Sequence, residues 1–197
     1  MDNKKNSFTV KDCINIGVFA ALYIVIFFVT SFIGYIPIMM AILGVACAVT
    51  CGIPLMLFFS KSHVFGMVSI MGAIMGIFMI LMGRPWYCIL VALAAGVAAD
   101  FVLKSGNYKS INKAVIGSGV FSLWMMGMEV PLYFGARDTF IESIKEGYGE
   151  AYAEVIVKIT PDWMFYATIV LTFVGGILGG LLGKAVLKKH FKKAGMA

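Results

Sequence analysis

Six apolar stretches, each long enough to cross a bilayer, fill almost all of this 197-residue chain. They run over 13–33, 38–59, 64–82, 86–103, 114–134 and 163–183. Each is near the ~20 residues that a helix rising ~1.5 Å per residue needs to cross ~30 Å of hydrocarbon. The pattern predicts an all-α integral membrane protein of six transmembrane helices in one domain, residues 1–197. The first stretch has no small-residue cleavage site behind it, so it is expected to remain as the first span rather than to be removed as a signal peptide.

Lys and Arg in the connections set the orientation, because basic residues are retained on the cytoplasmic side. Lys4, Lys5, Lys11, Lys61, Lys104, Lys109, Lys113, Lys184, Lys188, Lys189, Lys192 and Lys193 lie at the ends that alternate with the N-terminus; Arg84, Arg137, Lys145 and Lys158 lie at the others. All 16 basic residues thus divide as 12 against 4. The bias predicts a multi-pass protein of the bacterial cell membrane with both termini cytoplasmic. The net charge of +6 therefore belongs to topology and to anionic lipid, and no nucleic acid is expected as a partner. A hydrophobic content of 61% and a mean hydropathy of +0.94 agree with immersion in a bilayer.

Most chemistry is excluded by what the spans lack. Cys13, Cys47, Cys51 and Cys88 lie in or beside spans, where cysteine packs as a small apolar residue. Cys47 and Cys51 share a helix face, yet no span offers a His to complete a metal site. His63 and His190 stand at cytoplasmic ends. Gly117-Ser118-Gly119 resembles part of a nucleophile turn but lacks a base, and there is no phosphate-binding Gly-rich loop and no His-Glu-x-x-His pair. The expectation is a protein that is not an enzyme, with no cofactor and no metal.

The unusual chemistry is a polar and aromatic group in the outer half of the membrane. Arg84-Pro85-Trp86-Tyr87 forms the turn between the third and fourth spans; Trp124, Glu129, Pro131 and Tyr133 occupy the outer half of the fifth. Glu129 lies about five residues beyond its span's midpoint, roughly 7–8 Å outward of the bilayer centre. An ionisable residue at that depth faces a bundle interior or wet cavity and marks a ligand or ion pathway. Pro131 displaces the carbonyl of Gly127 and bends the helix beside it. The alternative is an Arg84–Glu129 pair tying two helices together, with Trp86 and Tyr87 in the interfacial aromatic belt. Asp100, one turn before Lys104, is expected to form a local ion pair.

Between the fifth and sixth spans lies a water-facing segment, 137–162. Thr139 and Glu142 have capping-box spacing, and Thr160 before Pro161 reads as the N-cap of the last helix. Phe140, Ile144, Tyr148, Tyr152 and Ile156 make an apolar stripe opposite Glu142, Glu146, Glu150 and Glu154. An extracellular amphipathic helix or lid is expected, jointed at Gly147 and Gly149. Small residues at i, i+4, such as Gly17 and Ala21 beside Ala20, Gly72 and Gly76, and Gly175, Gly179 and Gly183, allow close helix contact. Met67, Met71, Met75 and Met79 read as a packing or lipid-facing stripe, not a site.

Six spans, inside termini, a basic N-terminal segment leading into Gly17-x-x-x-Ala21, and a binding constellation near the outer face together resemble the substrate-binding S component of an energy-coupling factor (ECF) transporter. The chain is most similar to the Treponema/Streptococcus-type S-component family. The resemblance implies a membrane subunit that captures a micronutrient, vitamin-like or tetrapyrrole, for ATP-driven uptake by partners: a membrane coupling protein (T component) and two ABC ATPase subunits. It implies partner docking through Gly17, Ala20 and Ala21, with Gly standing where the family has Ala. It implies substrate binding by Arg84, Trp86, Tyr87, Trp124, Glu129 and Tyr133. The first external connection, 34–37, offers only Tyr35, so segment 137–162 is expected to serve as the lid. The alternative is a self-sufficient secondary transporter or channel for a small organic solute, which would want polar residues across the midplane and two repeated halves.

Overall fold

The computed structural model describes residues 8–188; Lys4, Lys5, Lys189, His190, Lys192 and Lys193 lie outside them. The regular structure among these residues is helical: α1 Val10–Ser31, α2 Pro37–Met40, α3 Leu43–Phe59, α4 Met67–Leu81, α5 Cys88–Lys104, α6 Ile111–Ser122, α7 Met126–Tyr133, α8 Arg137–Tyr148, α9 Glu150–Ile159 and α10 Met164–Val186. Three helical stretches are long and apolar enough to cross a membrane: Val10–Tyr35, Ile111–Tyr133 and Met164–Val186. α3 and α4 are shorter apolar helices. The second expected span is broken between α2 and α3, and the fifth contains a 3-10 turn, Leu123–Met125. α4 is bracketed by Gly66 (φ 105) and Gly83 (φ 80), left-handed positions that end a helix cleanly.

Backbone approach holds the bundle together. α10 packs most extensively on α3, where a Cβ added to Gly179 would lie 2.5 Å from the Ala48 carbonyl oxygen. α4 meets α5 likewise, with a Cβ on Gly72 2.5 Å from the Ala92 oxygen. Side chains larger than hydrogen would separate these helices and forfeit the dispersion contacts of the whole seam. Val18, Val25, Leu90, Val170 and Leu178 instead face outward, a placement that hydrocarbon solvates as well as a core does.

Aromatic rings fill the centre. Trp124 is 1% exposed, donates from Nε1 to the Tyr23 hydroxyl at 3.0 Å, and packs on Phe27 with ring centroids 5.3 Å apart. Met67, Met71 and Met75 are fully buried, so the methionine stripe is packing for most of its length.

Polar groups inside the bundle find specific partners. Pro131 denies the Gly127 carbonyl its helical donor, and the Cys88 thiol of α5 donates to that oxygen at 3.2 Å. Cysteine here is more than an apolar filler. Asp100, 0% exposed, does not pair with Lys104. Its carboxylate accepts from the Gly66 and Ser69 amides at 3.0 and 2.8 Å, from the Ser69 hydroxyl at 2.7 Å and from the Tyr108 hydroxyl at 3.4 Å. It caps α4 from the neighbouring helix, satisfying orphan N–H groups where a negative charge meets the positive end of the helix dipole. Lys104 lies over the Phe65 ring instead, 5.3 Å from its centroid.

The ends that carry most lysines gather on one side, where His63 lies 3.8 Å from Asp12 and Lys184 donates to Asn112 at 3.3 Å. Asp100→Ala therefore lowers stability by about 1.5–3 kcal/mol per charge-assisted bond lost, whereas Lys104→Ala changes it by less than about 0.5 kcal/mol. Melting temperatures of the two variants in one detergent check this; equal losses would restore the ion pair.

Candidate functional site

At the end opposite those lysines, the helix interruptions open a cavity of about 310 Å³, within the size range of small-molecule sites. Phe27, Phe28, Phe32 and Tyr35 line it from α1 and the 3-10 turn that follows; Met79, Met82 and Arg84 from the end of α4; Met128, Glu129, Leu132 and Tyr133 from α7. Phe140, Tyr148 and Thr160 close it from the α8–α9 segment.

That segment is a two-piece cap. α8 and α9 meet at Gly149, whose φ of 92° only glycine adopts freely. The Lys145 ammonium bridges the break to Glu150 at 2.9 Å, and this hydrogen bond holds the Glu150 carboxyl below its ordinary pKa. Ile144, Tyr152 and Ile156 of the apolar stripe are buried against Leu132 and its neighbours, while Glu142, Glu146, Glu150 and Glu154 are exposed. Arg137 donates to the Leu132 and Thr160 carbonyls at 3.2 and 2.8 Å, and the Tyr152 hydroxyl donates to the Gly34 carbonyl. Two capping expectations are corrected. α8 starts at Arg137 behind Ala136, leaving Thr139 inside its first turn. Thr160 ends α9, its hydroxyl donating to the Ile156 carbonyl at 2.7 Å, and α10 begins behind Trp163. In both places an arginine anchor and a proline turn outrank a local side-chain cap.

Three of the six expected substrate residues meet in the cavity: Arg84, Glu129 and Tyr133. Trp124 does not line it, standing behind Phe27 as a core residue. Trp86, 68% exposed, is not part of its wall, and Tyr87 packs against Trp86 and the core. Tyr35, Phe140, Tyr148 and Met79 join the wall, and the last three sit on stripes visible in the sequence. Phe27 and Phe28 carry no such signal, because an aromatic on the first span has no mark separating cavity from core.

The cavity's charges are unspent. Ion pairs among the described residues are His63–Asp12, Arg137–Asp162 and Lys145–Glu150. Arg84 and Glu129 do not pair; the Arg84 guanidinium lies 5.5 Å from the centroid of the Phe140 ring. Glu129 is half-buried toward the cavity and has no hydrogen-bond partner among the described residues. A carboxylate among largely apolar walls, with Arg84 near but beyond ion-pair distance, destabilises the empty protein. Among the described residues no group of three or more His, Cys, Asp or Glu is placed to hold a metal.

Glu129→Gln consequently raises the melting temperature of the ligand-free protein, by roughly 2–4 °C per kcal/mol regained. Arg84→Gln does not reproduce that gain. Lowered melting temperatures in both variants would mean that the two side chains pair after all.

A family model described as a hypothetical bacterial integral membrane protein (Trep_Strep) matches residues 10–193. No curated protein and no solved structure matches the chain. With nearly all of its length inside the match, the chain belongs to the Trep_Strep family of bacterial integral membrane proteins.

Proposed function

We propose that this protein is the substrate-specific membrane subunit of an ECF-type ABC importer, spanning the membrane six times with both termini cytoplasmic. It captures a vitamin-like or tetrapyrrole micronutrient at the outer face and performs no chemistry on it. A membrane coupling protein and two ABC ATPase subunits then drive uptake. The observation that carries the reading is the capped cavity: an aromatic and methionine-lined chamber at one end of the bundle, opposite the lysine-rich end, with a carboxylate and a guanidinium not paired to each other. The helix break at α2–α3 is tolerated in a membrane where it lines a cavity, and here Met40, Ala41 and Leu43 line it. The absence of nucleotide motifs from the sequence makes separate ATPases the expected source of energy.

Helix α1 supports the partner assignment. Gly17 and Ala21 lie on its exposed face, and a Cβ on Gly17 would meet nothing within 4 Å. Ala20 is buried at 2% and packs inward. A small exposed face on an otherwise bulky helix suits backbone approach by a second membrane protein. Gly17→Leu should therefore leave the melting temperature within about 2 °C of wild type, about 0.5 kcal/mol for a surface change, while cutting recovery of the coupling protein in a pull-down by tenfold or more. Uptake by proteoliposomes of the full complex with internal ATP, and none by this chain alone, tests the function itself. Concentrative uptake by the chain alone would favour the secondary transporter, and undiminished assembly of the Gly17 variant would remove α1 as the docking face.

A further inference from the structure

The cavity wall carries few polar groups, and several are already committed. The Ser31 hydroxyl donates to the Phe28 carbonyl and the Thr160 hydroxyl to the Ile156 carbonyl, each at 2.7 Å. The Gly34 carbonyl accepts from Tyr152. Tyr35, Tyr133 and Tyr148 carry hydroxyls that turn to donate or accept as a neighbour requires. What is left is one guanidinium and one carboxylate. Arg84 is set by the turn that closes α4, where Gly83 takes a φ of 80° and the Arg84 amide donates back to the Met79 carbonyl at 2.9 Å. Glu129 is set by α7, near Arg84 yet beyond ion-pair distance.

The two charges sum to zero, which decides more about a ligand than either does alone. A cation drawn to Glu129 is repelled by Arg84, and an anion drawn to Arg84 is repelled by Glu129. Among apolar walls neither repulsion is screened as it is in water. A molecule without net charge avoids both. A zwitterion qualifies, but two full charges must leave water to enter, at a cost that pairing need not return. A neutral ring compound with N–H donors on one edge and acceptors on another sheds only amide-like groups and still meets both side chains through charge-assisted hydrogen bonds. Nitrogen heterocycles have such edges: a carboxylate accepts from a ring amino group, and a guanidinium pairs with a carbonyl oxygen and a neighbouring ring nitrogen.

The rest of the wall fits a flat body. Phe28, Phe32, Tyr35 and Tyr148 form a continuous aromatic run from α1 to the cap, with successive ring centroids 5.3, 5.8 and 5.8 Å apart. All four line the cavity and none is buried, so their faces are open to a planar ring, as bases stack on aromatic side chains. Met79, Met82 and Met128 add adaptable thioether contacts. The volume of about 310 Å³ equals roughly ten waters at ~30 Å³ each, room for one ring or two fused rings. A tetrapyrrole is several times larger, so the cap as it stands selects the smaller class of compound.

We infer that the cavity binds a flat, net-uncharged nitrogen heterocycle of one or two rings, its N–H edge on Glu129 and its acceptor edge on Arg84. The inference rests on the cavity being the capture site, and it narrows the micronutrient class proposed above.

Three quinazolines of one size test it in mildly acidic buffer. The first, 2-aminoquinazolin-4-one, is neutral and carries both edges. The second, 2,4-diaminoquinazoline, has an amine where the carbonyl stood and is cationic. The third, quinazoline-2,4-dione, is neutral but has a carbonyl where the amine stood, which turns an acceptor toward the carboxylate. Equilibrium binding to the detergent-purified full chain should favour the aminoquinazolinone at least tenfold over the other two. Glu129→Gln should weaken it 10- to 100-fold and bring it level with the dione. Arg84→Gln should weaken it likewise but strengthen the diamine, whose charge then faces Glu129 alone; a variant that merely damaged the fold would weaken every probe. Equal binding of the three, a preference for the diamine or the dione, or no binding of any would overturn the assignment. Where a disfavoured probe binds and Tyr148→Ala abolishes that binding, the cavity stays the capture site and only the ligand class is removed. Binding untouched by Tyr148→Ala, Arg84→Gln and Glu129→Gln would remove the cavity itself.

Discussion

Every polar group in this bundle must find its partner without bulk water, and that constraint organises the fold. A hydrocarbon solvent supplies no hydrogen bonds, so an unmet backbone amide or carbonyl costs several kcal/mol. The chain answers with helices whose exceptions are each met individually. The carbonyl freed by Pro131 takes the Cys88 thiol. The start of α4 takes the Asp100 carboxylate from another helix. The break near Gly34 takes the Tyr152 hydroxyl of the cap. Glu129, in the cavity wall, is left without a hydrogen-bond partner among the described residues.

Close glycine packing makes such a cavity affordable. The α3–α10 and α4–α5 seams bring backbones together at Gly179 and Gly72, and this rigidity lets the opposite end carry broken helices without collapse. The cap, jointed at Gly149, closes the cavity, where a binding region drawn from a less stable part of a fold is expected.

Much of the architecture is legible in the sequence because hydrophobic length and small-residue spacing act locally. The apolar runs place the helices, and the Gly147–Gly149 weakness places the joint of the cap. Glu129 is legible as a candidate cavity residue by its depth, although a structural pair with Arg84 reads equally well until the two are seen not to form an ion pair. What depends on the third dimension is not legible. Asp100 reads as the partner of Lys104 because i, i+4 spacing is visible and a helix start 34 residues away is not. Trp124 reads as a site residue because it shares a segment with Glu129, yet a bend at Leu123–Met125 turns it into the core.

The central claim is that a water-accessible cavity opens to the side opposite the lysine-rich ends. Its most direct test is the labelling of single cysteines by a membrane-impermeant maleimide in intact cells, in a Cys13→Ser background whose other cysteines are buried. A cysteine replacing Met82 in the cavity wall should react from outside, and one replacing Lys113 at the other end should react only after the cells are opened. Reaction of both from the same side, or no reaction at Met82 even in opened cells, would contradict it.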